Sequence, residues 1–209
     1  MRRRTIASEV SPDSLEPNAH RALQNLGYQI VPARAPSETA DPSIQPELRI
    51  VDEEGFDQIT GEADSPAPIV FLMRGAAPPP ADRRIVALLT RPVRFEDLYA
   101  AIQEALEPTP RRHPRVTTAL PARCAYDHET CAAAVISISQ GGCLLRSPEG
   151  PPAAREITLQ FQLPRTGLVS TRARQVNRRG SDLGLAFEDL PSESRFAVSQ
   201  YVMDRLIES

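Results

Sequence analysis

The residues best equipped for chemistry in this sequence are guanidinium groups. Arg111, Arg112 and Arg115 crowd into the run Arg111-Arg112-His113-Pro114-Arg115. A guanidinium is a planar fork of donors that matches a phosphate or a guanine edge through two hydrogen bonds at once. A second run, Ser137-Ile138-Ser139-Gln140-Gly141-Gly142, sets two hydroxyls beside two glycines, and a third, Asp52-Glu53-Glu54, strings three carboxylates together. Cys124, His128 and Cys131 lie near one another, but without CxxC spacing or an evident fourth ligand they predict no metal centre. No base marks an activated thiol, and His20 and His113 read as surface residues rather than general bases. The sequence contains no G-x-S-x-G, H-E-x-x-H or G-x-G-x-x-G pattern. No catalytic residue is therefore assigned, and a non-enzymatic protein is expected.

Composition narrows the chemistry further. All 24 positive charges among the 209 residues are arginine. Without lysine there is no Schiff-base nucleophile and no Walker A lysine, since both need a primary amine. An all-arginine bias is the mark of GC-rich coding, so only the placement of individual arginines carries functional meaning. An apolar fraction of 41% with 24% charged residues describes a soluble globular protein able to bury a core. Three cysteines, an odd number without a CxxC pair, agree with a reducing compartment. Met1-Arg2-Arg3-Arg4 resembles the basic start of a signal peptide, but Thr5 to Asp13 is too short and polar for its apolar core. No later run approaches the ~18 apolar residues of a membrane span, so the expectation is a cytoplasmic protein without membrane insertion. Residues 1 to 107 carry 11 arginines against 17 carboxylates, a net charge of −6, whereas residues 108 to 209 carry 13 against 10, a net of +3. The acidic half argues against nucleic acid as a partner of the whole chain, and the basic half keeps an anionic ligand in play.

The elements that must position these groups follow from periodicity and breakers. Pro108, Pro110 and Pro114 stop any incoming helix and favour an extended arm. They divide the chain into a first domain at 1–107, an arm at 108–115 and a second domain at 116–209. In the first domain, strands are predicted at Thr5–Val10, Tyr28–Pro32, Leu48–Asp52, Ile69–Met73 and Ile85–Leu89. Helices are predicted at Asn18–Leu26 and Arg94–Leu106, the latter with Leu98, Ile102 and Leu106 on one face. That alternation predicts an α/β domain around a mostly parallel sheet, with the helices between the third, fourth and fifth strands shortened or missing. The second domain reads as all-β, with strands at Val116–Ala125, Ala133–Ser139, Cys143–Ser147, Ile157–Leu163, Leu168–Asn177 and Leu183–Phe187. Turns fall at Gly141-Gly142, Pro148–Pro152, Pro164–Gly167 and Gly180–Asp182. Six short strands predict a small barrel. A helix after Pro191, with Val198, Tyr201, Val202 and Leu206 on one face, is expected to pack on it.

The first domain resembles a bacterial response-regulator receiver, a flavodoxin-like fold. Leu48-Arg49-Ile50-Val51-Asp52 is similar to the strand that ends in the phosphorylated aspartate, and Arg91-Pro92 to the family's lysine-proline step. The departures are chemical. Receivers hold a metal ion with an acidic pair after the first strand, where this sequence reads Ser8-Glu9-Val10-Ser11-Pro12-Asp13. Met73 replaces the family's hydroxyl, and Arg91 its lysine. Phosphoryl transfer relies on positioning and charge neutralisation. The expectation is therefore a pseudo-receiver used for docking or dimerisation, with Asp52 a solvated strand end that is not phosphorylated.

The second domain resembles the PilZ domain, a six-stranded barrel that binds cyclic di-GMP and carries RxxxR on a flexible arm followed by [D/N]xSxxG on the barrel. Arg111 and Arg115 match the two arginines, Ser139 the serine and Gly142 the last glycine. Arg174-Gln175-Val176 and Leu183-Gly184-Leu185-Ala186-Phe187-Glu188 are further points of similarity. The resemblance implies a cyclic di-GMP site formed by Arg111, Arg112, Arg115, Ser137, Ser139, Gly141 and Gly142. In it guanidinium forks take phosphates and guanine edges, glycines admit a flat base, and a hydroxyl donates to the ligand. Ser137 stands where the family has Asp or Asn accepting from the guanine N1 and N2 hydrogens, and serine is shorter and neutral. The implied function is a cyclic di-GMP effector that engages an unidentified protein partner and regulates motility or related surface behaviour. The alternative that Ser137 leaves open is a PilZ-like interaction protein that no longer binds the nucleotide.

Overall fold

The central strand of the N-terminal sheet, β3 (Leu48–Asp52), is buried along its whole length, as expected for a parallel strand covered on both faces. The computed structural model describes residues 3–32, 45–59, 66–75, 78–147, 156–165 and 167–208, and the chain separates into two compact units, 1–112 and 113–209. In the first unit β3 is flanked by β1 (Thr5–Glu9), β2 (Gln29–Pro32), β4 (Ile69–Met73) and β5 (Ile85–Thr90), with α1 (Ala19–Asn25), α2 (Glu53–Ile59) and α3 (Phe95–Leu106) completing it. All described pairings in this sheet are parallel and the order is β2-β1-β3-β4-β5. This is the doubly wound, flavodoxin-like arrangement, in which the chain reverses direction of winding between β1 and β3. Its core joins Ile6, Leu23, Leu48, Ile50, Ile69, Leu72, Leu98 and Ile102, all fully buried.

The shortened helices are a seven-residue α2 and, among the described residues between β4 and β5, no helix at all. That leaves Val86 and Leu88 of the edge strand β5 54% and 47% exposed. The sequence reading gave α2 no bounds, because Asp52-Glu53-Glu54 reads as a solvated strand end. Glu53 and Glu54 instead form the helix's first turn, where carboxylates complement the helix dipole.

His20 is less exposed than its reading as a surface residue implies. It is half-buried on α1, with Nε2 at 2.8 Å from the Ser8 hydroxyl on β1, and burial lowers its pKa. The unfolded chain then binds this proton more readily than the folded one. The contribution of His20 is full above the ordinary histidine pKa of about 6.5 and declines as pH falls from there toward its lowered folded value. Urea denaturation between pH 8 and about pH 5 should show this loss in the wild type, and a flatter profile in His20→Gln.

The second unit is a closed barrel of six strands, β6 (Val116–Tyr126), β7 (Glu129–Ser139), β8 (Gly142–Arg146), β9 (Glu156–Leu163), β10 (Gly167–Arg179) and β11 (Asp182–Phe187), in the order β10-β11-β8-β7-β6-β9. Strict alternation on β9 sends Ile157, Leu159, Phe161 and Leu163 inward. Closure leaves the barrel no free sheet edge. The terminal helix α4 (Ser192–Glu208) packs on β6, β7 and β9 through Val198, Val202 and Leu206, and the half-buried Tyr201 hydroxyl lies 2.7 Å from that of Thr118. The expected turn at Pro148–Pro152 lies outside the described residues, as do Met1 and Arg2.

β7 begins four residues earlier than its hydrophobic pattern predicts. Asp127 and His128 both adopt positive φ, 43° and 70°, the conformation of a two-residue type I′ hairpin loop. This tight loop pairs Tyr126 with Glu129 and Cys124 with Cys131. The two cysteines, 5.3 Å apart at Cα, form a disulfide, a pairing that the reading of the cysteines as those of a reducing compartment did not foresee. His128 sits exposed at the hairpin tip while both cysteines are buried.

Candidate functional site

The register of β6 against β7 governs the site. Val116 pairs with Ile138 and Thr117 with Ser137, so Arg115, the last residue of the arm, falls at the strand end opposite Ser139. The tight turn Gln140-Gly141 then leads into β8. Arg115 and the run Ser137–Gly142 therefore share one end of the barrel, although they are separated along the chain.

The arm divides between the two units. Arg111 and Arg112 belong to the first, both exposed. The Arg111 amide donates to Gln103 Oε1 at 3.0 Å, and buried Gln103 itself donates to the Tyr28 hydroxyl at 2.6 Å. His113, Pro114 and Arg115 belong to the second. Pro114 is buried and His113 half-buried, so His113 is part of this end of the barrel rather than a bystander on the surface. A methyl group built on Gly141 would come within 3.1 Å of His113 Cδ2, and glycine is what allows the ring to lie over the turn. Sequence reasoning missed this role; a histidine directly before Pro114 and three residues ahead of the strand was the available signal.

The serines and glycines of the second motif have structural duties. Ser139 is buried and donates to the Gly142 carbonyl at 3.1 Å, closing its own turn. Ser137 is half-buried, paired with Thr117 on one side and Leu144 on the other. Gly142 lies so close to β11 that a Cβ there would stand 2.1 Å from the Leu185 carbonyl oxygen, and Phe187 N donates to Gly141 O at 3.0 Å. Backbone cannot yield as a flexible side chain does. Gly142→Ala should therefore lower the barrel's stability by about 1–3 kcal/mol, the usual cost of overpacking, measurable as a lower urea midpoint. Below this end of the barrel Cys143 is fully buried, and burial pushes its thiol up to about 12 against the opposing pull of the Arg115 charge. It is an inert core residue. Arg174 pairs with Glu188 at 3.1 Å on the outer face.

Asp52 in the first unit is not the solvated strand end its neighbours suggest. It is 1% exposed. One oxygen, Oδ2, accepts from Ser11 N (2.6 Å), Ser11 Oγ (2.7 Å), Ser14 Oγ (2.9 Å) and Arg91 Nη1 (3.0 Å), and Oδ1 accepts from Gly55 N (3.0 Å). Burial works against its charge, but the bonds from Ser11, Gly55 and Ser14 outweigh burial and hold its carboxyl below the ordinary carboxylate value. Arg91 also donates to Ser14 Oγ at 2.6 Å and Glu53 Oε2 at 2.7 Å.

The family model for the PilZ domain matches residues 109–204. No curated protein matches the chain in sequence. Similar solved structures include the Bacillus subtilis inhibitor of motility MotI/DgrA, 20% identical over 48% of this chain and 53% of that one, with a TM-score of 0.43. The Borreliella burgdorferi PlzA protein in complex with c-di-GMP is 16% identical over 48% of this chain and 44% of that one, TM-score 0.38. The PilZ domain of Escherichia coli YcgR with c-di-GMP is 11% identical over 48% and 94%, TM-score 0.39. The chain spans about half the length of the first of these.

Proposed function

We propose that the PilZ domain formed by residues 109–204 is a cyclic di-GMP receptor, and that the chain is a non-enzymatic signalling effector acting on motility or related surface behaviour through a protein partner. The observation that carries this reading is the register that brings Arg115 opposite Ser139 at the barrel end where His113 covers Gly141. The ligand is a dianion bearing two guanines. Arg111, Arg112 and Arg115 supply forks for its phosphates and for the N7 and O6 acceptors of its bases. Ser137 offers one hydroxyl to a guanine edge, directly or through water. Ser139 and Gly142 act by shaping the turn, and Gly141 by keeping the surface low enough for a flat base. The match of residues 109–204 to the PilZ family model is the reason for naming this nucleotide rather than another bis-phosphate.

In this reading the nucleotide draws the exposed half of the arm onto the barrel. Limited trypsin digestion tests it on the full chain, because Arg111 and Arg112 are exposed cleavage points. Cyclic di-GMP should slow cleavage after both, whereas GMP should not. Identical cleavage with and without the nucleotide would count against arm closure.

A further inference from the structure

Open α/β sheets bind ligands in the crevice at the carboxyl ends of their strands, where winding reverses. In the N-terminal unit that crevice lies between β1 and β3, bounded by Ser11 and Ser14 after β1 and by Asp52 at the end of β3. It is filled by the chain's own groups. The Arg91 side chain, 7% exposed, reaches from the end of β5 and makes an ion pair with Asp52 at 3.0 Å and another with Glu53 at 2.7 Å. Glu53 in turn accepts from the Arg74 amide at the end of β4. A single network therefore ties the ends of β1, β3, β4 and β5 together.

The chemistry of that network excludes an incoming phosphoryl group. A carboxylate oxygen attacks phosphorus through a free lone pair, along an open in-line path, with the charge of the transferring group neutralised by a cation. Asp52 Oδ2 accepts four hydrogen bonds and Oδ1 one, and the carboxylate is sealed from solvent. The position beside it already holds the delocalised Arg91 guanidinium, 3.0 Å from the carboxylate.

We propose that Arg91 is a resident cation that replaces any external one at this crevice, holding the N-terminal unit in one state that answers neither to phosphoryl donors nor to divalent metals. The inference stands independently of nucleotide binding by the barrel. It assigns the first unit as a fixed platform, with Arg91 as the residue that fixes it.

The test uses the full chain. Incubation with acetyl phosphate and Mg²⁺, read by intact mass, should leave the wild type unchanged. Its melting temperature should also be insensitive to millimolar Mg²⁺. In Arg91→Gln, which keeps polar bulk but removes the charge, the melting temperature should fall in EDTA and recover in part with Mg²⁺, as a metal takes the place of the guanidinium. Three results would each overturn the proposal: a wild-type mass gain of one phosphoryl group on Asp52, a Mg²⁺-dependent rise in wild-type melting temperature, or a folded Arg91→Gln protein indifferent to Mg²⁺. The two wild-type measurements decide it even where the variant does not fold.

Discussion

Arg91→Ala should destabilise the N-terminal unit by about 3–5 kcal/mol, the usual cost of removing one partner from a buried ion pair. The magnitude follows from what is left behind. Asp52 remains sealed in the sheet end without its countercharge, Ser14 loses a donor, and Glu53 loses its link to β5. A surface pair would contribute no more than about 1 kcal/mol, so the measured value distinguishes a structural keystone from an incidental contact. Hydrogen exchange on peptides from β3 and β4 provides the readout, since protection there reports this unit separately from the barrel. Lowering the pH should reproduce part of the effect in the wild type. The Asp52 carboxyl is held below its ordinary value, so its stabilisation is present above the unfolded carboxylate pKa and is lost as pH falls through the lower folded one.

The double variant Arg111→Ala/Arg115→Ala should lose at least about a hundredfold in affinity for cyclic di-GMP. Each charge-assisted hydrogen bond to a phosphate or base edge contributes about 1.5–3 kcal/mol, and about 1.4 kcal/mol corresponds to a factor of ten. Arg111 is exposed, whereas Arg115 is half-buried at the start of the barrel, so the fold of the double variant is checked alongside its affinity. Arg111→Lys/Arg115→Lys would restore charge without the planar fork, so incomplete recovery of affinity in that variant would identify bidentate contacts rather than general attraction. Calorimetry on both variants, with circular dichroism to confirm folding, gives the comparison.

Much of the architecture was legible because it depends on local patterns. The buried run of β3, the alternation of β9 and the four-residue spacing of Leu98, Ile102 and Leu106 each identify an element before any contact is known. What was not legible depends on register and on backbone conformations that composition does not signal. The positive φ of Asp127 and His128 sets the β6–β7 hairpin and thereby joins Cys124 to Cys131; neither residue is the glycine or asparagine that announces such a loop. Asp52 illustrates the same limit in electrostatics. Its acidic neighbours suggested solvent, but Ser11, Ser14 and Arg91 come from elements up to 41 residues away. Likewise, the motif residues Ser139 and Gly142 were recognisable by spacing, whereas their bond to each other and the approach of Leu185 emerge only from the closed barrel.

Isothermal titration of cyclic di-GMP into the folded 209-residue chain tests the central claim most directly. The account predicts a saturable heat with micromolar or tighter affinity, abolished in the arm double variant. No heat at high micromolar ligand, from a sample shown to be folded, would contradict it and leave the barrel as an interaction module without a nucleotide.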